Sequence, residues 1–229
     1  GCISEQPEDS GFASPQTRMD FRPSVEEVVS LMVEHLKTPE SIISFGQGCE
    51  GEPATQAPLI AEAIRQTRLR TSMGYINMNT NAGLTDHIRA IVDAGLDLMR
   101  VSIISALEDH YQAYYKPRGY TLKNVEKSLR YAAEQGVYTS INYLVFPGVS
   151  DREEEMEAMI EFARRTGLKR IQLRNLNIDP ESYLSIIPKA RGEIYGMKRM
   201  IEIFREELPD VEISSYTHIP PADFPRRKP

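Results

Sequence analysis

Two hydrophobic periods alternate along this chain, one typical of amphipathic helices and one typical of buried strands. The first helical segment begins after Ser24, which has capping-box spacing with Glu27, and it runs to about Lys37. Short apolar runs then alternate with further helical segments. The runs predict strands near 41–46, 74–80, 98–104, 137–146, 169–176 and 211–215, and the segments predict helices near 57–70, 84–94, 122–135, 151–167 and 193–207.

Strands that alternate with helices of this length indicate parallel strands joined by right-handed crossovers. The 229 residues suit one α/β barrel or one doubly wound domain. Five or six β–α units follow the first helix, and because that helix has no strand before it, we expect one strand ahead of Gly1. Residues 1–219 are predicted to form the core and residues 220–229 a Pro- and Arg-rich tail.

The charge and the cysteine content indicate which kinds of partner and which cellular compartment to expect. The net charge is −6, with acidic and basic residues interleaved, so no nucleic-acid partner is indicated. No apolar run reaches the roughly 20 residues that a membrane helix needs. The two cysteines do not make a disulfide framework, which favours a reducing, cytoplasmic location.

Polar side chains cluster at the carboxyl ends of the predicted strands, where α/β folds build their sites. Asn77, Asn79 and Asn81 are two residues apart, so they are predicted to share one side of the sheet, opposite Met78 and Thr80. Asparagine is depleted in strands, and three on one face predict a pocket for a polar ligand. Histidine ligation of a metal is not indicated, because the four histidines lack metal-site spacing and are interpreted as surface or core residues: His35, His87, His110 and His218.

A set of motifs, in family order over nearly the whole chain, resembles the radical S-adenosylmethionine (radical SAM) enzyme superfamily. The motifs are Cys2, Gly51-Glu52-Pro53, Asn79-Thr80-Asn81, Val101-Ser102-Ile103, Asn142 and Phe146-Pro147-Gly148-Val149-Ser150-Asp151. The resemblance implies an α/β fold, a partial (β/α)6 TIM-like barrel of parallel strands with outer helices. The count of β–α units fits this architecture if the first strand is missing.

The resemblance implies a [4Fe-4S] cluster on a C-x3-C-x2-C motif, where thiolates serve as soft, anionic ligands. Cys2 matches only the third cysteine, since Glu5 and Gln6 occupy the positions that a first or second cysteine would require, so the other two are expected upstream. The implied reaction is reductive cleavage of S-adenosylmethionine to a 5′-deoxyadenosyl radical, which abstracts hydrogen from an unknown substrate. Cys49 has no assigned counterpart, and no cysteine follows it, which argues against an auxiliary cluster.

The resemblance also assigns the residues that would bind S-adenosylmethionine. Gly51-Glu52-Pro53 matches the segment that meets the methionine amino group, although Glu50 stands where the family has glycine. A basic residue after the strand near 98–104 would pair with the methionine carboxylate, and spacing does not choose between Lys116 and Arg118. The implied cofactor-binding set is Gly51, Glu52, Pro53, Asn79, Asn81, Ser102, Lys116, Arg118, Asn142 and Arg174.

Two other functions stay open at this point. One is a non-radical lyase or aldolase that uses Glu52 or a lysine for acid–base chemistry. The other is a degenerate barrel that binds a nucleotide-like ligand or a partner without a cluster. The radical interpretation alone requires upstream cysteines, and it implies a small-molecule or peptide substrate and an electron donor such as a flavodoxin or ferredoxin.

Overall fold

A single sheet of six parallel strands organises the computed structural model, which describes residues 20–47, 51–216, 219–221 and 224. The strands lie side by side in chain order, so each one pairs with the next. Their bounds are β1 Ile42–Phe45, β2 Tyr75–Thr80, β3 Leu98–Ile103, β4 Tyr138–Val145, β5 Arg170–Asn175 and β6 Glu212–Ser214. This order confirms the predicted α/β class and the partial barrel of parallel strands.

One helix precedes the first strand, the others connect consecutive strands, and most of them pack on the outer face of the sheet. They are α1 Val25–His35, α2 Ala57–Arg70, α3 Thr85–Asp93, α4 Glu108–Tyr115, α5 Leu122–Glu134, α6 Glu153–Thr166, α7 Pro180–Ile186 and α8 Met197–Glu207, with a 3-10 helix at Pro53–Gln56. Within the described part of the chain, each of these helices is too short or too polar to cross a membrane.

The hydrophobic core lies between the outer face of the sheet and these helices. Strand residues such as Ile76, Met99 and Ile141 are fully buried there, against helix residues such as Ile64 and Val125. The opposite, inner face carries most of the polar strand residues, as the pleat requires when successive side chains alternate. The sheet therefore has an apolar outside and a polar inside.

Several residues that the sequence predicts to begin or end helices do so in the structure. The Ser24 hydroxyl accepts from the Glu27 backbone amide, and the Glu27 carboxylate accepts from the Ser24 amide at 2.8 Å, which completes the predicted capping box of α1. Three glutamates open α6, where they interact favourably with the helix dipole. The helix ends at Gly167, whose positive φ of 65° suits glycine.

Two features near the carboxyl end of the chain differ from the sequence-based expectation. Helix α7 was not predicted, because its seven residues are too few to show helical periodicity. Helix α8 begins at Met197 rather than near 193, because the preceding segment is held in an irregular conformation. The Glu154 carboxylate accepts from the backbone amides of Arg191 and Gly192, at 2.9 and 3.1 Å.

Aromatic and aliphatic side chains close the amino-terminal end of the inner face. Tyr75, Leu98 and Tyr138 form a buried cluster against which Ile219 and Phe224 pack. The rings of Tyr138 and Phe224 meet edge to face, with their centroids 4.9 Å apart. The opposite, carboxyl end is where the polar strand ends and the loops of the candidate site lie. The division of core and tail at residue 219 stays a prediction.

Candidate functional site

The loop after β1 carries the Gly-Glu-Pro motif to the carboxyl end of the sheet. Gly46 turns the chain with φ of 74°, and Gly51 has φ of 112°. Glu52 is the N-cap of the 3-10 helix that Pro53 begins. The intervening Cys49 and Glu50, like Cys2, lie outside the described residues, so their predicted roles stay predictions.

The Glu52 carboxylate joins this loop to the end of β2. Its Oε1 accepts from the Ala54 amide at 3.0 Å and from the Thr80 hydroxyl, and its Oε2 accepts from the Asn81 amide at 2.7 Å. The carboxylate therefore positions the backbone of the motif beside Asn81. A direct contact between Glu52 and a cofactor amino group stays a prediction, and one acceptor direction of the carboxylate is left for it.

A ladder of side-chain amides lines the inner face from β1 to β2. The Asn77 amide donates to the Ser44 hydroxyl at 3.0 Å and to the Asn79 carbonyl at 3.3 Å. The Asn79 amide donates to the Gln47 side chain at 2.7 Å. Asn77 and Asn79 thus share the side that their spacing predicted, and the ladder holds Asn79 at the mouth of the barrel.

The two candidates for the methionine carboxylate follow α4. Lys116 ends this helix in the left-handed conformation, with φ of 45°, and Arg118 is exposed two residues on. Neither side chain forms an ion pair with another described residue. Tyr120 then packs its ring onto Gly83, where an added Cβ would lie 2.5 Å from the ring, so this loop closes over the end of β2.

The Tyr120 hydroxyl group also lies in the electrostatic field of Glu52. Burial raises the pKa of Tyr120, and the nearby Glu52 carboxylate adds to this effect. Because its ring also packs on Gly83, Tyr120 lies at the same edge of the sheet as the Gly-Glu-Pro loop.

The remaining predicted residues lie further round the inner face. Ser102 pairs in register with Asn142, and Leu144 pairs with Arg174. Asn142 also neighbours the buried Gln172 on β5, so this row of polar side chains crosses the middle of the sheet. The sequence-predicted residues thus divide into an edge group around β1 and β2 and a second group on β3 to β5.

A fully buried polar cluster, which the sequence did not reveal, fixes the start of α4. Ser105 follows β3, and its hydroxyl donates to Glu155 of α6 at 2.7 Å. The other carboxylate oxygen of Glu155 bonds to His110 Nδ1, and all three side chains are inaccessible to solvent. His110 is thus a core residue, as interpreted, and the cluster ties the β3–α4 loop to α6.

Two residues of the candidate site were not assigned from the sequence, because their contacts depend on the tertiary structure. Thr80 was assigned correctly to the outer side, but its bond to Glu52 depends on the path of the loop after β1. Arg100 lies in the strand predicted near 98–104, where its residue type alone does not distinguish it. Its neighbours Arg170 and Arg174 become apparent once the register of three strands is known.

The donor and acceptor groups at the carboxyl edge fit a polar, nucleotide-like cofactor. Such a cofactor has amino, hydroxyl and carboxylate groups that need hydrogen-bond or ionic partners. Partners of these kinds are present as exposed backbone at Gly51, the side-chain amides of Asn79 and Asn142, and the cations Lys116 and Arg118. In the described part of the chain, no three His, Cys, Asp or Glu side chains are grouped to hold a metal. A cluster would therefore depend on Cys2 and on thiolates outside the described ranges.

The fold and the site define a class: a partial barrel of parallel strands with a polar inner face and a ligand-binding carboxyl edge. The family model of the radical SAM superfamily matches residues 6–163, well over half of the sequence. The chain therefore belongs to the radical SAM superfamily.

A curated relative and two solved structures are similar to this chain. The probable dual-specificity RNA methyltransferase RlmN of Chlorobium luteolum (strain DSM 273 / BCRC 81028 / 2530) is 30% identical over 122 residues, covering 49% of this chain and 34% of that protein. A radical SAM methyltransferase from Sphaerobacter thermophilus has a TM-score of 0.58 at 19% identity, covering 85% of this chain and 58% of its own. SuiB of Streptococcus suis, bound to S-adenosylmethionine, has a TM-score of 0.58 at 13% identity, covering 88% and 46%.

These comparisons differ in what they show about this chain. The two structures share its fold, at identities too low to transfer an activity. The match to the curated relative spans about a third of that protein's length, so the relative's activity is not established here.

Proposed function

We propose that this chain is the core of a radical SAM enzyme that binds S-adenosylmethionine at the carboxyl edge of its sheet. The observation that carries the proposal is the Glu52 network, which fixes the Gly-Glu-Pro loop beside Asn81 in the superfamily's motif order. Superfamily membership supports a [4Fe-4S] cluster and S-adenosylmethionine as cofactors. Bound together, they would supply a 5′-deoxyadenosyl radical for hydrogen abstraction from a substrate.

The chain's own residues would bind and orient the cofactor from two sides. Gly51 offers backbone groups and Asn79 an amide on the β1–β2 side. Lys116 or Arg118 would pair with the carboxylate from the loop after α4, and arginine would provide the bidentate geometry. Asn81, Ser102, Asn142 and Arg174 complete the proposed contacts, with Pro53 shaping the loop. Cys2 is proposed as the chain's own cluster ligand.

Membership in the superfamily does not identify the substrate or the electron donor. We propose an electron donor of the flavodoxin or ferredoxin type and a cytoplasmic location. The name of the C. luteolum relative, an RNA methyltransferase, fits poorly with the expectation of no nucleic-acid partner. The net charge of −6 still disfavours broad contact with a phosphate backbone, so we retain a small molecule or peptide as the proposed substrate.

Replacing Glu52 tests the cofactor site. In protein made from the full reading frame and reconstituted anaerobically with iron and sulfide, Glu52→Ala should weaken S-adenosylmethionine binding by roughly tenfold or more. The reason is that the Ala54 and Asn81 amides lose a charged acceptor, which is worth about 1.5–3 kcal/mol for one such bond. Equilibrium dialysis with labelled S-adenosylmethionine measures the affinity, and Glu52→Gln reports whether the shape of the side chain suffices.

Glu27→Ala is the matched control, because this carboxylate also accepts a backbone hydrogen bond but lies on α1. Its affinity for S-adenosylmethionine should equal that of the wild type. Far-ultraviolet circular dichroism shows whether the Glu52→Ala protein is folded. If the folded variant binds S-adenosylmethionine with wild-type affinity, Glu52 does not contribute to the cofactor site.

A further inference from the structure

Three arginines, Arg100, Arg170 and Arg174, lie on the inner face of the sheet. The strand register sets Arg100 of β3 beside Ser140 of β4, and Ser140 beside Arg170 of β5. Arg174 is two residues after Gln172 on β5, so it lies one pleat repeat nearer the carboxyl edge of the sheet. Because neighbouring strands are about 4.8 Å apart, β3 and β5 are roughly 10 Å apart, which two arginine side chains can span.

Arg100 is the uncompensated member of this group. Its Nε is buried and has no hydrogen-bond partner, and no described carboxylate forms an ion pair with its guanidinium. Burial lowers the pKa of Arg100, and repulsion from Arg170 and then Arg174 lowers it further.

The one carboxylate on the described strands of this face is already engaged. Glu212 of β6 accepts from Arg170 Nε at 2.8 Å. The Tyr138 ring covers the same guanidinium, with the Arg170 Cζ 5.1 Å from the ring centroid. Arg170 is thus held by protein groups, whereas Arg100 has no ion pair with any residue of the described ranges.

Arg100 is half-buried, and a partly buried cation that has no paired anion is less stable than one with a partner. Guanidinium groups pair best with planar or tetrahedral oxyanions through two parallel hydrogen bonds. We propose that the inner face between β3 and β5 binds a carboxylate or phosphate group of the substrate, with Arg100 as its principal ligand. This proposal rests on the proposed function and specifies the class of its substrate.

The position of Arg100 assigns the oxyanion to the substrate rather than to S-adenosylmethionine. Arg100 is two residues before Ser102, so it lies one pleat repeat, about 6.6 Å, deeper along the strand. The single carboxylate of S-adenosylmethionine already has a proposed partner at the edge, which is Lys116 or Arg118. A second oxyanion site deeper in the barrel therefore suits a second molecule.

The test uses inorganic phosphate and acetate as probes for the two sources of oxyanion. Titration calorimetry at constant ionic strength, with chloride as the reference salt, measures binding to the reconstituted full-length protein. The wild type should bind at least one probe, and Arg100→Met should weaken that binding by roughly tenfold or more, the cost of losing a charge-assisted hydrogen bond. Stronger binding of phosphate would assign a phosphate ester as the substrate, and stronger binding of acetate a carboxylic acid.

Arg130→Met is the matched control, because it removes an equal charge from an exposed residue of α5, whose Nε lies 3.7 Å from Glu134. Its affinity for the probe should equal that of the wild type. In buffer without oxyanions, Arg100→Met should melt at or above the wild-type temperature, since an apolar chain replaces a half-buried charge that has no ion pair with a described residue. A lower melting temperature together with undiminished probe binding would overturn the proposal.

Binding of S-adenosylmethionine to the same proteins separates this proposal from the proposed function. Arg100→Met should keep wild-type affinity for S-adenosylmethionine. Loss of that affinity would make Arg100 a cofactor ligand and overturn the substrate assignment. A wild type that binds phosphate or acetate but not S-adenosylmethionine would refute the proposed function while leaving the oxyanion site in place.

Discussion

Glu155→Ala is expected to lower the free energy of unfolding by about 3–5 kcal/mol, the usual cost of removing one partner of a buried pair. The substitution leaves the Ser105 hydroxyl and the His110 ring without their shared acceptor, in a region closed to water. Most domains are stable by only about 5–15 kcal/mol, so this change removes a large fraction of the total. Urea denaturation followed by circular dichroism measures it.

Glu161→Ala is the control for this experiment, because it lies on the same helix and removes the same group. The Glu161 carboxylate is exposed and pairs with Arg165 at 3.2 Å, and pairs of this kind contribute about 0–1 kcal/mol. Equal losses in Glu155→Ala and Glu161→Ala would show that the buried cluster does not anchor α4. A near-normal Glu155→Gln protein would show that hydrogen bonding, rather than charge, maintains the anchor.

Gly46→Ala is expected to destabilise the protein by about 3 kcal/mol or more. A left-handed residue with a Cβ costs about 1–2 kcal/mol by itself. The added Cβ would also overlap the backbone carbonyl of Asn79 and lie 2.9 Å from Pro53 Cγ, and steric overpacking typically adds about 1–3 kcal/mol. The carbonyl belongs to β2 and cannot move without breaking the sheet, so the loop after β1 must shift. Thermal unfolding gives the measurement.

Gly119→Ala separates the cost of a left-handed backbone from the cost of steric overlap. Gly119 has φ of 79°, close to that of Gly46, but an added Cβ would meet no atom of a described residue within 4 Å. This variant should therefore show only the conformational cost of about 1–2 kcal/mol. If both variants lost the same stability, the close approach of Gly46 to β2 would be refuted.

The order of strands and helices was predictable because each element buries one face, and that burial imposes a period on the sequence. The strand predicted near 137–146 is observed at Tyr138–Val145, and the helix predicted near 57–70 is observed at Ala57–Arg70. Helix α7 was missed because seven residues span barely two turns. The start of α8 was misplaced because contacts of Glu154 with the preceding segment override local propensity.

The candidate site was predictable only where its chemistry follows the strands themselves. The spacing of Asn77 and Asn79 placed both on the inner face, where they are hydrogen-bonded to each other. The role of Glu52 could not be predicted in the same way, because it depends on how the 3-10 helix sets the loop against Thr80. Arg100 likewise required the register of β3, β4 and β5, which no single segment of sequence contains.

The production of 5′-deoxyadenosine tests the central claim most directly. Protein from the full reading frame, reconstituted with iron and sulfide and reduced with dithionite, should convert S-adenosylmethionine to 5′-deoxyadenosine and methionine. Cys2→Ala should abolish the product, because it removes a proposed cluster ligand, whereas Cys49→Ala should retain it. An iron-loaded wild type that yields no 5′-deoxyadenosine, or a Cys2→Ala protein as active as the wild type, would contradict the assignment.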